Sequence, residues 1–293
     1  MSFIIASDNG SNLPVALIDH YGLKILPMTF SNGETEYHSY LKDEDVDLAS
    51  FYRMMRGGQT FTTSLISYRG CREVLEPIIT ASDQDILYIG FSTGLSGSFN
   101  VVSKYLSEQQ ELYPQRHFIA IDSLGASLGQ GLLVCQAARM RDEGKTLDEV
   151  CSWLRDNILH MAHWFTVDDL MFLFHGGRVS HASALAGTLL DIKPTMHVDN
   201  AGKLIPMGKV RNRRKSLKVL VDAMDQTALR PLDTNLIAIS HADCLDDAYY
   251  VADLAAERFD IARDDFLINI VDPVIGAHCG PGTIALFFMA SER

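Results

Sequence analysis

The chain has 293 residues, 47% hydrophobic and 21% charged, a globular mixture that excludes disordered, collagenous and low-complexity scaffolds. Twenty-five basic against 37 acidic residues give a formal charge of −12, which argues against nucleic acid as a partner. There is no apolar run of the ~20 residues that cross a bilayer and no basic segment ahead of the first apolar stretch, and the five cysteines are scattered without a C-x-x-C pair, so a cytoplasmic chain with reduced thiols and no metal site is expected.

At this length two domains of roughly 100–200 residues are expected. Phe3-Ile4-Ile5-Ala6 has strand length and runs into the turn formers Ser7-Asp8-Asn9-Gly10-Ser11-Asn12, with Pro14 placed to open a helix. A second hydroxyl cluster, Thr60-Phe61-Thr62-Thr63-Ser64-Leu65-Ile66-Ser67, precedes a helical stretch. Ile86-Leu87-Tyr88-Ile89-Gly90-Phe91 repeats the strand pattern and feeds Ser92-Thr93-Gly94-Leu95-Ser96-Gly97-Ser98, then a helix with Val101, Val102, Tyr105 and Leu106 on one face. Phe118-Ile119-Ala120-Ile121 repeats it again, feeding residues 122–131 and a helix expected from about Leu132 to Arg141. Strands alternating with helices predict a parallel sheet whose polar loops gather at the strands' carboxyl ends. Such a crevice offers hydroxyls and glycine amides, donors suited to an anionic oxygen group, although Ser, Thr and Gly in any single loop are explained by turns alone. Thr146-Leu147-Asp148-Glu149 has capping-box spacing and starts another helix, and the domain boundary is placed near its end, at His163.

In the second half, residues 167–178 read as a short capped helix stopped by Gly176 and Gly177, and Ser180 as the cap of a second helix containing Leu185, Leu189 and Leu190. Residues 192–198, the turn Asp199-Asn200-Ala201-Gly202 and residues 203–210 read as a hairpin. Lys209, Arg211, Arg213, Arg214, Lys215 and Lys218 form a basic island, either a solvated helix face or a docking surface for an acidic partner or anionic bilayer. A strand at 236–240, a helix at about 244–259 and strands at 266–271 and 284–289 follow. Gly276-Ala277-His278-Cys279-Gly280-Pro281-Gly282-Thr283 reads as a stiff turn presenting one imidazole.

Gly94-Leu95-Ser96-Gly97-Ser98, Asp122-Ser123 with Ser127-Leu128-Gly129-Gln130-Gly131, Val167-Asp168-Asp169-Leu170 with His175-Gly176-Gly177-Arg178-Val179-Ser180, Ile192-Lys193-Pro194 and His278-Cys279-Gly280-Pro281-Gly282-Thr283 occur in one order along nearly the whole chain. In that order they resemble the DegV family of bacterial fatty-acid-binding proteins. Two segments depart from the family pattern. Ser7-Asp8-Asn9-Gly10 stands where Asp-Ser-Thr is usual, and Thr63-Ser64-Leu65-Ile66-Ser67 stands for Thr-Ser-Gln-Pro-Ser.

The resemblance implies a two-domain α/β fold: a Rossmann-like parallel-sheet domain (1–163), a second α/β domain with a mixed sheet (164–293), and a ligand tunnel between them. It implies a non-enzymatic carrier of a long-chain fatty acid with no cofactor. The carboxylate would be held by Thr63 and Ser96, with Thr93, Ser64 and His278 nearby, and Arg178 would face a partner at the mouth; within the basic island, Arg211 is the residue expected to dock. In part of the family that partner is a kinase that phosphorylates the fatty acid for phospholipid synthesis.

Two other chemistries fit short motifs. Gly125-Ala126-Ser127-Leu128-Gly129 matches the G-x-S-x-G elbow of serine hydrolases, with Asp243 and His278 downstream, although capping of a helix by Ser127 explains the serine equally well. Gly94-Leu95-Ser96-Gly97 suits a phosphate cradle but lacks the P-loop lysine. His160 and His163 sit three apart without a third ligand, as structural histidines do.

Overall fold

Five residues of β1 (Ile4–Asp8) begin a four-stranded parallel sheet of order β2-β1-β6-β7, with β2 at Lys24–Leu26, β6 at Ile86–Gly90 and β7 at Phe118–Asp122. The computed structural model describes residues 3–39, 47–180 and 191–293. Every residue of β6 is buried, as a central parallel strand covered on both faces must be. The crossovers are α1 (Val15–Tyr21), α2 (Leu48–Arg56), α3 (Tyr68–Ala81) and α4 (Ser98–Leu112), with α5 (Ser127–Asp142) and α6 (Leu147–Asn157) following β7. Thr146 and Glu149 make the reciprocal capping box that the spacing predicts for α6.

Chain then enters a six-stranded mixed sheet, order β10-β9-β8-β13-β11-β12: β8 (Met161–Thr166), β9 (Ile192–Val198), β10 (Leu204–Arg211), β11 (Ala238–His241), β12 (Leu267–Ile270) and β13 (Ile284–Met289). Only the β11–β12 pair is parallel. Its helices are α7 (Leu170–His175), α8 (Arg213–Thr227), α9 (Leu245–Phe259) and α10 (Pro273–Cys279). A small antiparallel sheet, β4 (Glu36–His38), β3 (Thr29–Ser31) and β5 (Thr62–Ser64), brings the second hydroxyl cluster beside α10.

Several sequence expectations change. Helix α5 starts at Ser127, five residues before Leu132, and takes in Gly129 and Gly131. Both glycines are there for close approach: a Cβ at 129 would lie 2.2 Å from His163 Nε2 and one at 131 would lie 2.5 Å from the Ser11 carbonyl. Ser127 is not the cap. The cap position is Ala126, with no side-chain bond. Residues 276–283 are not all turn, because Asp272 caps α10 by accepting from Val274 N–H and Pro273 fits the first helical position. The basic island is not one helix face: Lys209 and Arg211 lie on edge strand β10 and the rest on α8. The helix expected around Leu185, Leu189 and Leu190 lies outside the described residues.

The loop after β1 ties the two sheets together instead of facing a crevice. Asn9 accepts from Met28 N–H at 2.8 Å and donates to Asp272 Oδ1 at 3.2 Å, while Asn12 Oδ1 accepts from Asp272 N–H at 2.7 Å. The buried Asp8 carboxylate accepts from Tyr88 O–H, Phe91 N–H, Gly10 N–H and the Gln130 amide. Burial pushes its carboxyl above the usual range, against those four bonds. A second tie lies at the hairpin tip. Ser92 Oγ donates to the Gly202 carbonyl at 2.8 Å. Gly202 has φ +70°, and a Cβ there would meet Ser92 Oγ at 2.1 Å.

Candidate ligand-binding site

The six-stranded sheet, strand β5 and the loops that follow β6 and β7 wall a cavity of about 270 Å³. A single buried water needs only ~10–15 Å³, so the space suits a larger guest. Met28, Phe91, Phe165, Leu204, Val271 and Phe287 give it a mostly apolar surface.

Thr63, Ser64, Ser96, Arg178 and His278 also line this cavity. Thr63 arrives on β5, Ser96 on the loop between β6 and α4, Arg178 just after α7, and His278 in the last turn of α10. Ser98 Oγ accepts from Ile66 N–H at 3.2 Å and lies 3.0 Å from Ser96 Oγ, which fixes the two hydroxyl loops against each other.

His278 Nε2 lies 2.7 Å from Thr63 Oγ1, and its Nδ1 faces an Arg178 N–H at 3.5 Å. A guanidinium only donates, so Nδ1 is the acceptor and Nε2 carries the proton. His278 Nε2–H then donates to Thr63 Oγ1, leaving the Thr63 proton free to donate onward. Burial, helped by the Arg178 charge, pushes the imidazole down to about 4, so it is neutral near pH 7. Gly176 makes the arrangement fit, because a Cβ there would lie 2.2 Å from His278 Nδ1. Arg178 is half-buried and donates to the Leu95 and Gly176 carbonyls, and burial lowers its pKa. No ion pair to it occurs among the described residues. This end of the cavity therefore presents the Thr63 hydroxyl donor backed by a cation that has no counter-charge among the described residues, a setting for an anionic oxygen group.

Thr93 and Arg211 are not part of this cluster. Thr93 donates to Asp122 Oδ2 at 2.5 Å, and the 83%-exposed Arg211 side chain lies 3.8 Å from Asp191. The cavity wall also includes His163, Ser127 and Ser240, which sequence reasoning did not place together. His163 is neutral for the same reason as His278, with burial holding it well below the usual range.

The hydrogen bonds do not assemble the hydrolase triad. Ser127 Oγ donates to Ser240 Oγ at 2.9 Å, Asp243 pairs with Arg56, and His278 is bonded to Thr63. Nor is Gly94-Leu95-Ser96-Gly97 an open phosphate cradle. The Leu95 and Ser96 amides donate to the Ser92 carbonyl, and the Gly94 amide donates to Ser92 Oγ. His160 and His163 each bond a backbone carbonyl, of Ala290 and Met161 respectively.

Fold and cavity together define an α/β protein, with a parallel sheet and a mixed sheet, whose apolar internal space ends at a polar cluster. A family model described as "Uncharacterised protein, DegV family" matches residues 2–291. A DegV domain-containing protein of Clostridium perfringens is 35% identical over 291 residues, covering 99% of this chain and 98% of its own. The chain belongs to the DegV family. Its fold is shared by a fatty acid binding DegV family protein from Streptococcus agalactiae, 26% identical with TM-score 0.83 over 100% of both chains. It is likewise shared by a DegV family protein from Eubacterium eligens loaded with heptadecanoic acid, 20% identical with TM-score 0.85 over 99% of this chain and 100% of that one.

Proposed function

We propose that this protein is a non-enzymatic carrier of a long-chain fatty acid. The observation that carries the reading is the joining of an apolar cavity to the Arg178–His278–Thr63 hydrogen-bond chain. The fatty acids named for the structural relatives support it. The cavity serves as the acyl tunnel between domains 1–163 and 164–293. Thr63, Ser96 and Ser64 hold the carboxylate, with Thr63 donating and Arg178 supplying the counter-charge through His278.

The energetics favour retention. At ~0.8 kcal/mol per methylene, an acyl chain of ~14 methylenes gains roughly 11 kcal/mol before ordering costs. An unpaired buried carboxylate would offset much of that. Each hydrogen bond to the charged group returns about 1.5–3 kcal/mol. The cytoplasmic partner in this reading is a kinase acting on the bound carboxylate for phospholipid synthesis, with Arg211 and its basic neighbours on the docking face and an anionic membrane surface as a transient contact. Native mass spectrometry of the purified protein, followed by organic extraction, tests the reading. A mass excess that extracts as a fatty acid is expected. A protein that stays at its sequence mass and takes up no added stearate overturns it.

A further inference from the structure

The Ser127 and Ser240 hydroxyls stand in the same cavity and share no hydrogen bond with the Thr63–His278 pair. Ser240 is fully buried, and Ser127 is the more exposed of the two at 6%. Ser127 Oγ donates to Ser240 Oγ at 2.9 Å, and Asn12 Nδ2 donates to the same oxygen at 3.4 Å. Ser240 thus takes the Ser127 proton, and no donor among the described residues satisfies the Ser127 lone pairs. His163 and Thr283 in the same wall are committed. Both His163 nitrogens are bonded, to the Met161 carbonyl and the Ala126 amide, and Thr283 Oγ1 donates to the Cys279 and Gly280 carbonyls.

The backbone adds an independent observation. Ser127 is held at φ +55°, a region that costs a residue with a Cβ. Capping does not require it, since Ala126 occupies the cap position. Around it the wall is hydrocarbon from Phe165, Ala285 and Phe287. A lone acceptor in such a wall has no use for a methylene, but it matches a group that brings its own proton.

We propose that Ser127, oriented by Ser240, is a subsite for a hydroxyl on the acyl chain, so that the preferred cargo is a hydroxylated fatty acid. The inference rests on the fatty-acid reading above and names the substrate class within it. Because its proton is committed to Ser240, Ser127 itself accepts and does not donate. It therefore selects a hydroxyl over an oxo group at the same carbon.

Displacement titrations with stearate, a series of monohydroxystearates and the matching oxostearates test this. One hydroxy isomer should bind about tenfold tighter than stearate, the scale of one or two neutral hydrogen bonds, and its oxo counterpart should not. Ser127→Gly, which keeps the positive φ, should bring the hydroxystearate-to-stearate ratio close to one. Ser240→Ala, which frees the Ser127 proton, should narrow the hydroxy-over-oxo preference. If every hydroxy isomer binds more weakly than stearate, as a purely apolar wall dictates, the proposal fails while the fatty-acid reading stands. It fails too if the preference persists in Ser127→Gly, or if oxo acids gain equally. If neither stearate nor any derivative binds, the fatty-acid reading itself falls and takes the subsite with it.

Discussion

Replacing Thr63 with Val keeps a β-branched side chain on β5 and removes one hydroxyl. Two interactions are lost: the donation to a carboxylate proposed above, and acceptance of the His278 Nε2 proton at 2.7 Å. A hydrogen bond to a charged acceptor contributes about 1.5–3 kcal/mol, and an orphaned buried donor costs about 1–3 kcal/mol. The two do not add in full, because the freed His278 N–H can turn to the carboxylate and water can enter a half-buried site. A net loss of about 2–3 kcal/mol is expected, which is roughly 30- to 150-fold in Kd. The assay is displacement of a fluorescent fatty acid by stearate and by methyl stearate, with wild type and Thr63→Val in parallel. The ester carries no charge, so its penalty for the substitution should be several-fold smaller than that of the acid. If Thr63→Val binds stearate within threefold of wild type, or penalises acid and ester alike, the head group is not held by Thr63.

Asp272, fully buried with Ser39, Val274 N–H and Asn9 as donors, has its carboxyl pushed up by burial to about 7. A carboxyl raised in the fold stabilises below its unfolded value near 3.8, and that stability drains away as pH rises through 7, by about 4 kcal/mol at the limit. His278, lowered to about 4, has the opposite sense: its contribution is present above 6.5 and lost as pH falls toward 4. Denaturant unfolding at pH 6.5 and 8 should therefore show wild type losing stability with rising pH and Asp272→Asn losing less; equal slopes would refute the assignment. Arg213 is anchored to Asp247 at 2.8 Å and to the Gly282 carbonyl, so Arg213→Glu should lower Tm by roughly 4–8 °C, for a loss of about 2 kcal/mol. Arg211→Glu on the exposed strand edge should leave Tm within about 1 °C, so Arg211, unlike Arg213, can report docking free of folding. Gly202→Ala places a Cβ 2.1 Å from Ser92 Oγ at φ +70° and should cost about 1–3 kcal/mol in denaturant unfolding; an unchanged midpoint would show that the hairpin tip does not bear on Ser92.

The parallel sheet was legible because its strands are continuous apolar runs ended by turn formers, as in residues 86–91. The β3–β4–β5 sheet was not, since three-residue strands carry no alternation to read. The start of α5 was hidden by Gly129 and Gly131, which weaken helix propensity and are present because His163 and Ser11 approach closely. In α10, Asp272-Pro273 was a visible start signal, outweighed by the glycines from 276 to 282. At the site, hydroxyl-rich loops marked Thr63 and Ser96, but 215 residues separate Thr63 from His278, and no local spacing joins them. Ser7–Asn12 had the composition of a binding loop and is spent on Asp272, Met28 and Ser240. Composition identifies donors; only tertiary contacts show which are already used.

At the hairpin tip, two glycines meet without side chains between them: a Cβ at Gly94 would strike the Gly202 carbonyl at 2.6 Å, just as one at Gly202 would strike Ser92. Gly94 lies two residues from Ser96, so the Asp199–Gly202 turn and the hydroxyl loop form one mechanical part although 110 residues separate Ser92 from Gly202. A chimera that exchanged the hairpin alone with a relative of different turn length would set a borrowed tip against an unmatched seat, and a graft intended to change what the cavity accepts must carry both segments.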